Sequence, residues 1–166
     1  MPEAILAEIA EAGIYAPSGR NTQTPIILIV TDLALRNKLS AANARILGKD
    51  CDPFYGAPAV LVVLAKKDCF TAIYDGSLVM ENLMLAATEK GLGSCWIHRA
   101  KEVFELPEWR SWLASLGVEG EYVGIGNCIV GYPDGELPIA APRKEKRIYF
   151  VGQNGDACRW MEVQRQ

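Results

Sequence analysis

The residues best equipped for chemistry lie in one polar turn, Pro17, Ser18, Gly19, Arg20, Asn21, Thr22 and Gln23, set directly before the hydrophobic run Ile26 to Val30. Ser, Arg, Asn and Gln side chains can together donate and accept hydrogen bonds along the polar edge of a planar heterocycle, or bind a phosphate. Gly19 would let a ligand approach the backbone. The same residue types also make an ordinary capped helix end followed by a loop. Composition does not choose between the two.

Other candidates carry less. His98 is the only histidine, and Cys95 stands three residues before it. Positions three apart on a strand face opposite sides, which argues against a Cys–His nucleophile pair. No further ligands follow at a metal-like spacing, so no metal site is expected. A histidine at a strand end, bonding something near the sheet edge, fits better. The glycines at 91 and 93, and at 124, 126 and 131, do not match G-x-G-x-x-G, and the second set sits inside a strand-like run with no helix after it. Close strand packing accounts for them. Arg143 to Arg147 (RKEKR) holds four cations in five residues. Such a run is either solvated surface or, here between Pro142 and a strand, a support for one or two cations fixed over a phosphate.

Composition narrows the field. The chain of 166 residues has the length of one domain and a net charge of −3, so neither nucleic acid nor an anionic membrane is indicated. The longest apolar stretch, Ala57 to Ala65, falls far short of the roughly 20 residues that span a bilayer. The N-terminus lacks the basic and apolar regions of a secretory signal. Five cysteines without a C-x-x-C pair argue against a disulfide framework and for a reducing, cytoplasmic setting. Cys95 and Cys128, inside apolar runs, read as small hydrophobes.

The elements that must position the turn follow from periodicity. Pro2 to Gly13 has helical spacing with Gly13 as its stop, and Asp32 can cap a helix carrying Leu33, Leu39, Ala42 and Ile46. Strands are expected over Ile26 to Thr31, Ala59 to Ala65, Ser94 to His98 and Tyr122 to Tyr132, with a late strand over 147–151. Pro107 to Leu116 reads as a short helix. The helix Ala72 to Gly91 is apolar almost all round apart from a stripe at Asp75, Asn82 and Glu89. Such a helix must be surrounded by protein, as a core element or at a subunit interface. The late strand has no obvious neighbour, so it pairs within the chain or crosses to a partner. Together these elements describe an α+β or α/β sandwich.

Taken in order, APSGRNTQTP, GLGSCWIHRA and GYPDGELPIAAPRK resemble the nitroreductase family of FMN-dependent oxidoreductases over nearly the whole chain. The resemblance implies a single α+β domain over 1–166, a three-layer sandwich around a mixed central sheet. It also implies a domain-swapped homodimer whose late strand extends the partner's sheet, with two FMN sites at the interface. The helix Ala72 to Gly91 would be the dimer core, with Leu83 on the shared face. Pro17, Ser18, Arg20, Asn21 and Gln23 match the family turn beside the flavin ring. Trp96, Ile97, His98 and Arg99 match the segment whose backbone runs past it, and Arg143 with Lys144 matches the late basic position that holds the phosphate. The implied reaction is ping-pong transfer from NADH or NADPH through FMN to a nitroaromatic, quinone or similar small acceptor. The flavin carries the chemistry, so no catalytic side chain is implied.

Two features depart from the family pattern. Members usually open on a basic R-R-S-x-R segment that grips the phosphate, whereas this sequence opens MPEAILAEIAEAG, and Thr24 stands where an aromatic residue often follows the turn's Gln. The first departure leaves an alternative, a non-catalytic flavin-binding dimer that has lost its phosphate clamp.

Overall fold

A computed structural model describes residues 1–135, 139–151 and 159–160. These residues form two compact units, Met1–Asp134 and Gly135–Gln166.

In the first unit, β2 (Ala59–Lys66) is the organising strand. Its side chains alternate between two separate cores: Ala59, Leu61, Val63 and Ala65 join one, and Val60, Val62 and Leu64 the other. An apolar run of this kind is what a strand covered on both faces needs. The sheet runs β1–β2–β4–β3, with β1 at Ile26–Val30, β3 at Gly93–Ile97 and β4 at Tyr122–Gly131. One face packs on α1 (Glu3–Ile14) and α3 (Ala72–Glu89). The other packs on α2 (Leu33–Leu47), α4 (Ala100–Glu105) and α5 (Pro107–Ser115). The result is the three-layer α+β sandwich. All three of its ladders are antiparallel, where the resemblance implied a mixed sheet; the motifs that carry that resemblance lie largely in turns and say nothing of strand direction.

Glycines lock these layers together by leaving space. A bulge between Val63 and Leu64 places the extra β4 residue, Ile125, in the α1/α3 core, where a methyl group on Gly76 of α3 would collide with it. A Cβ at Gly124 would meet the Ala100 backbone of α4, and one at Gly126 would meet the Trp96 indole. The strand glycines therefore serve close packing, as their spacing indicated. Gly13 acts the same way: α1 runs on to Ile14, and a methyl at Gly13 would lie 2.7 Å from Leu83 Cδ2. It is a contact point and not a stop.

Helix ends follow local chemistry. Asp32 caps α2, accepting from Leu35 N–H at 2.7 Å. α3 closes in a Schellman motif, with Gly91 left-handed at φ 71° and Leu92 N–H donating to Ala87 O at 2.9 Å. Between α2 and β2, Asp52 pins a loop. Its carboxylate accepts from Arg36 Nη2 at 2.7 Å, from the Ser40 hydroxyl, and from the Phe54 and Gly56 amides at 3.0 and 2.7 Å. Burial raises the carboxyl, but these donors, Arg36 foremost, overcome it and hold the group well below the usual carboxylate range.

In the second unit, β5 (Tyr149–Phe150) pairs antiparallel with β6 (Arg159–Trp160). The late strand expected over 147–151 thus finds a short partner within its own chain. No described helix is long and apolar enough to cross a membrane.

Candidate functional site

The polar turn folds as one 3-10 turn, Gly19–Asn21, with Arg20, Asn21 and Gln23 all at positive φ of 52°, 56° and 49°. Non-glycine residues adopt this region uncommonly, at about 1–3 kcal/mol each where context forces it. Local bonds shape the turn: Gln23 N–H donates to Ser18 Oγ at 3.0 Å, and Gln23 Nε2 donates to Asn21 Oδ1 at 2.8 Å. Arg20 is exposed, its guanidinium 5.2 Å over the Phe70 ring.

Beneath the turn lies a member of the α3 polar stripe that was not among the expected site residues. Asp75 is only 3% exposed. Its Oδ1 accepts the Gly19 N–H at 2.9 Å and its Oδ2 accepts the Thr71 hydroxyl at 2.8 Å. Asn82, one α3 heptad on, donates to Ala12 O at 3.0 Å. The stripe at Asp75 and Asn82 therefore points inward, toward the turn and α1. The apolar residues Ile73, Tyr74, Leu78 and Leu85 face out, while Leu83 is fully buried against α1. Leu83 thus belongs to the subunit's own core and not to a dimer face. A polar residue in an otherwise apolar helix was the available signal, since a buried polar group is the informative exception.

Pro17, Ser18 and Gln23 come together with Ala16, Asp75 and Val79 around a cavity of about 250 Å³. The Thr24 hydroxyl is buried, with no hydrogen-bond partner among the described residues. Cys69 sits beside the turn, its sulfur 3.4 Å from Thr71 Oγ1 and 3.7 Å from Thr22 Oγ1. Hydrogen bonding from Thr71, and then Thr22, pulls its thiol below the usual value.

The second predicted segment stands at the other edge of the sheet. Trp96 lies over Gly126, Ile97 is buried in the α2/α4/α5 core, His98 is exposed just past β3, and Arg99 takes a left-handed φ of 73° at the head of α4. Fully buried Asn43 of α2 fixes this corner, donating to His98 O at 2.7 Å and accepting from Arg99 Nε at 2.8 Å. Nothing in the local pattern marks Asn43, whose partners lie more than 50 residues away. Cys95 on this edge strand is exposed, contrary to the expectation of a small core hydrophobe. Buried Cys128 on a central strand meets that expectation, and burial pushes its thiol up to about 12.

The turn precedes β1 and the His98 corner follows β3, at the same end of the sheet. Three strand spacings separate them, roughly 14 Å. The two predicted walls are not brought together within one subunit. Arg143 and Lys144 lie in the second unit and are exposed. A larger cavity of about 330 Å³, bounded by Phe104, Arg110, Leu113, Glu121 and Tyr122, includes no predicted site residue.

Residues 1–132 match the model of the nitroreductase family. Among solved structures, the chain is similar to a nitroreductase with bound FMN from Bacteroides fragilis NCTC 9343, at 31% identity and TM-score 0.81, covering 92% of this chain and 89% of that one. It is also similar to a nitroreductase with bound FMN from Desulfitobacterium hafniense DCB-2, at 26% identity and TM-score 0.78, covering 92% and 89%. A third likeness is to an iodotyrosine deiodinase bound to FMN and 3-iodo-L-tyrosine, at 25% identity and TM-score 0.70, covering 90% and 88%. No curated protein matches the chain.

Proposed function

The chain belongs to the nitroreductase family, and on that premise we propose that it is an FMN-dependent oxidoreductase working as a homodimer. The observation that carries this reading is the strained turn Ser18–Gln23, whose donors and acceptors edge a cavity in the region matched by the family. The residues suit the cofactor in kind: amide and hydroxyl groups for a ring edge, and exposed Arg143 and Lys144 for a phosphate. When bound, FMN would supply two-electron chemistry, taking hydride from NADH or NADPH and passing electrons to a nitroaromatic, quinone or similar acceptor.

The protein's part is binding and exclusion. Pro17, Ser18, Arg20, Asn21 and Gln23 would form one wall. Trp96, Ile97, His98 and Arg99 would form the other through their backbone. Because these walls stand at opposite sheet edges, a second copy facing the first supplies the missing wall of each site. Ile73, Tyr74, Leu78 and Leu85, exposed along α3, are the surface such a copy would cover. The acceptor is set by the site and not by the fold, as the iodotyrosine deiodinase likeness illustrates.

The deciding measurement is the visible spectrum of the purified protein before and after FMN addition and desalting. A retained flavin spectrum is expected; a protein that cannot be loaded would sink the reading. NAD(P)H oxidation with a quinone or nitroaromatic then separates an enzyme from a non-catalytic flavin-binding dimer. Leu85→Glu should dissociate the dimer by light scattering and release flavin together.

A further inference from the structure

We propose that Asp75 is the positioning residue that holds the Pro17–Gln23 turn in its binding conformation. The proposal rests on reading that turn as a flavin wall, and it names the part of the chain that builds the wall.

The bonds within the turn are local, from Ser18 to Gln23 and from Asn21 to Gln23. Among the described residues, only two hydrogen bonds tie it to the rest of the fold. One is Gly19 N–H to Asp75 Oδ1 at 2.9 Å, and the other is the long Thr22 to Cys69 sulfur contact at 3.7 Å. The first is far the stronger, since a carboxylate accepting a backbone N–H is a charge-assisted bond. Arg20 also lies over Phe70 at the surface.

Geometry leaves the tether no slack. A methyl group at Gly19 would lie 2.5 Å from Thr71 Oγ1, so the turn is pressed directly on the N-terminal end of α3. Thr71, in turn, donates its hydroxyl to the other Asp75 oxygen at 2.8 Å. Both carboxylate oxygens are thereby oriented, and the side chain cannot rotate away from Gly19 without losing both bonds. Three left-handed non-glycine residues in four positions would relax if left alone. Asp75 also lies on the wall of the cavity that Pro17, Ser18 and Gln23 line. Releasing the tether therefore changes that wall directly.

The test compares Asp75→Ala with Asp75→Asn. The Asn side chain keeps an oxygen for the Gly19 N–H and offers its amide to the Thr71 oxygen, so it should restore what Ala removes. Two readouts are taken: FMN affinity by flavin fluorescence, and the rate of tryptic cleavage after Arg20 in protein without FMN. Asp75→Ala should bind FMN at least tenfold more weakly and be cut after Arg20 several-fold faster. Asp75→Asn should stay within about threefold of wild type in both. Wild-type affinity in Asp75→Ala, or equal damage in the two variants, would overturn the proposal. Should Asp75→Ala not fold, Gly19→Ala drives a methyl group against Thr71 and is expected to reproduce both effects in a folded protein. Its failure to do so would count against the tether. If wild type binds no FMN, the functional reading fails, while the cleavage rates still decide whether Asp75 holds the turn.

Discussion

Two loops of the first unit are each pinned by one aspartate, and the pins differ in completeness. Asp52 collects four donors, including the guanidinium of almost fully buried Arg36, which also donates to Ala57 O at 3.0 Å and lies over the buried Phe54 ring. Asp75 collects two close donors, Gly19 N–H and the Thr71 hydroxyl, and a third, the Cys69 thiol, only at a long 4.0 Å, with no cation among its described partners. Both loops use left-handed residues: Tyr55 and Gly56 in the first, Arg20, Asn21 and Gln23 in the second. The Asp52 loop is sealed into the α2/α4/α5 core through Phe54, whereas the Asp75 loop borders a cavity. A joint saturated with donors stabilises the fold. One with a single backbone tether beside open space is built to present a surface.

The sharpest way to break this contrast is to remove each carboxylate. Asp52→Ala leaves the Arg36 charge unpaired in a largely buried setting and should cost about 2–4 kcal/mol, less than a fully buried pair because Asp52 itself is partly exposed. For a chain of this size that lowers Tm by about 4–16 °C. Asp75→Ala should cost roughly 1–2 kcal/mol, since what it orphans lies at the sheet edge. Urea unfolding of both variants checks the ranking. A larger loss at Asp75 would reverse the assignment of the two joints.

Acid sharpens it further. The Asp52 carboxyl is held below its unfolded value by Arg36 and the other donors against the opposing effect of burial. A depressed group binds fewer protons folded than unfolded, so its contribution is fully present above the unfolded value of about 3.9 and is lost as pH falls below it. Wild type should therefore lose stability between about pH 5 and about pH 2 more steeply than Asp52→Asn, which has no proton to take up there. Parallel urea midpoints for the two proteins across that range would contradict the assigned role.

The contrast also explains what could be read from sequence. Strand and helix positions were legible because burial leaves a period: the run Ala59 to Ala65 had to be covered on both faces, and Asp32 stood at a capping position. The six-residue α4 was missed, being too short to show a period before Leu106 and Pro107 break it. The turn announced itself through residue types, but its tether did not. Asp75 stood out only as a member of the narrow polar stripe of α3, because nothing local marks a partner 56 residues earlier. Asn43 and the inward face of Leu83 were hidden for the same reason: the residues that decide their roles are close only in space.

The smallest effect probes the hydroxyl shared within the Asp75 joint. Thr71 Oγ1 carries one proton, given to Asp75 Oδ2 at 2.8 Å, while Cys69 Sγ lies 3.4 Å from the same oxygen. Thr71 is nevertheless the leading cause of the lowered Cys69 thiol, so a Cys69 thiolate competes with Asp75 for that proton. Thr71→Val removes the donor and should move the midpoint of Cys69 alkylation upward in pH, followed by mass spectrometry with exposed Cys95 as internal reference. Asp75→Ala frees the hydroxyl to serve the sulfur alone and should move the midpoint the other way or leave it in place. Upward shifts in both variants would mean that Asp75 and Cys69 do not share the proton, and that the thiol responds to general loosening of the loop.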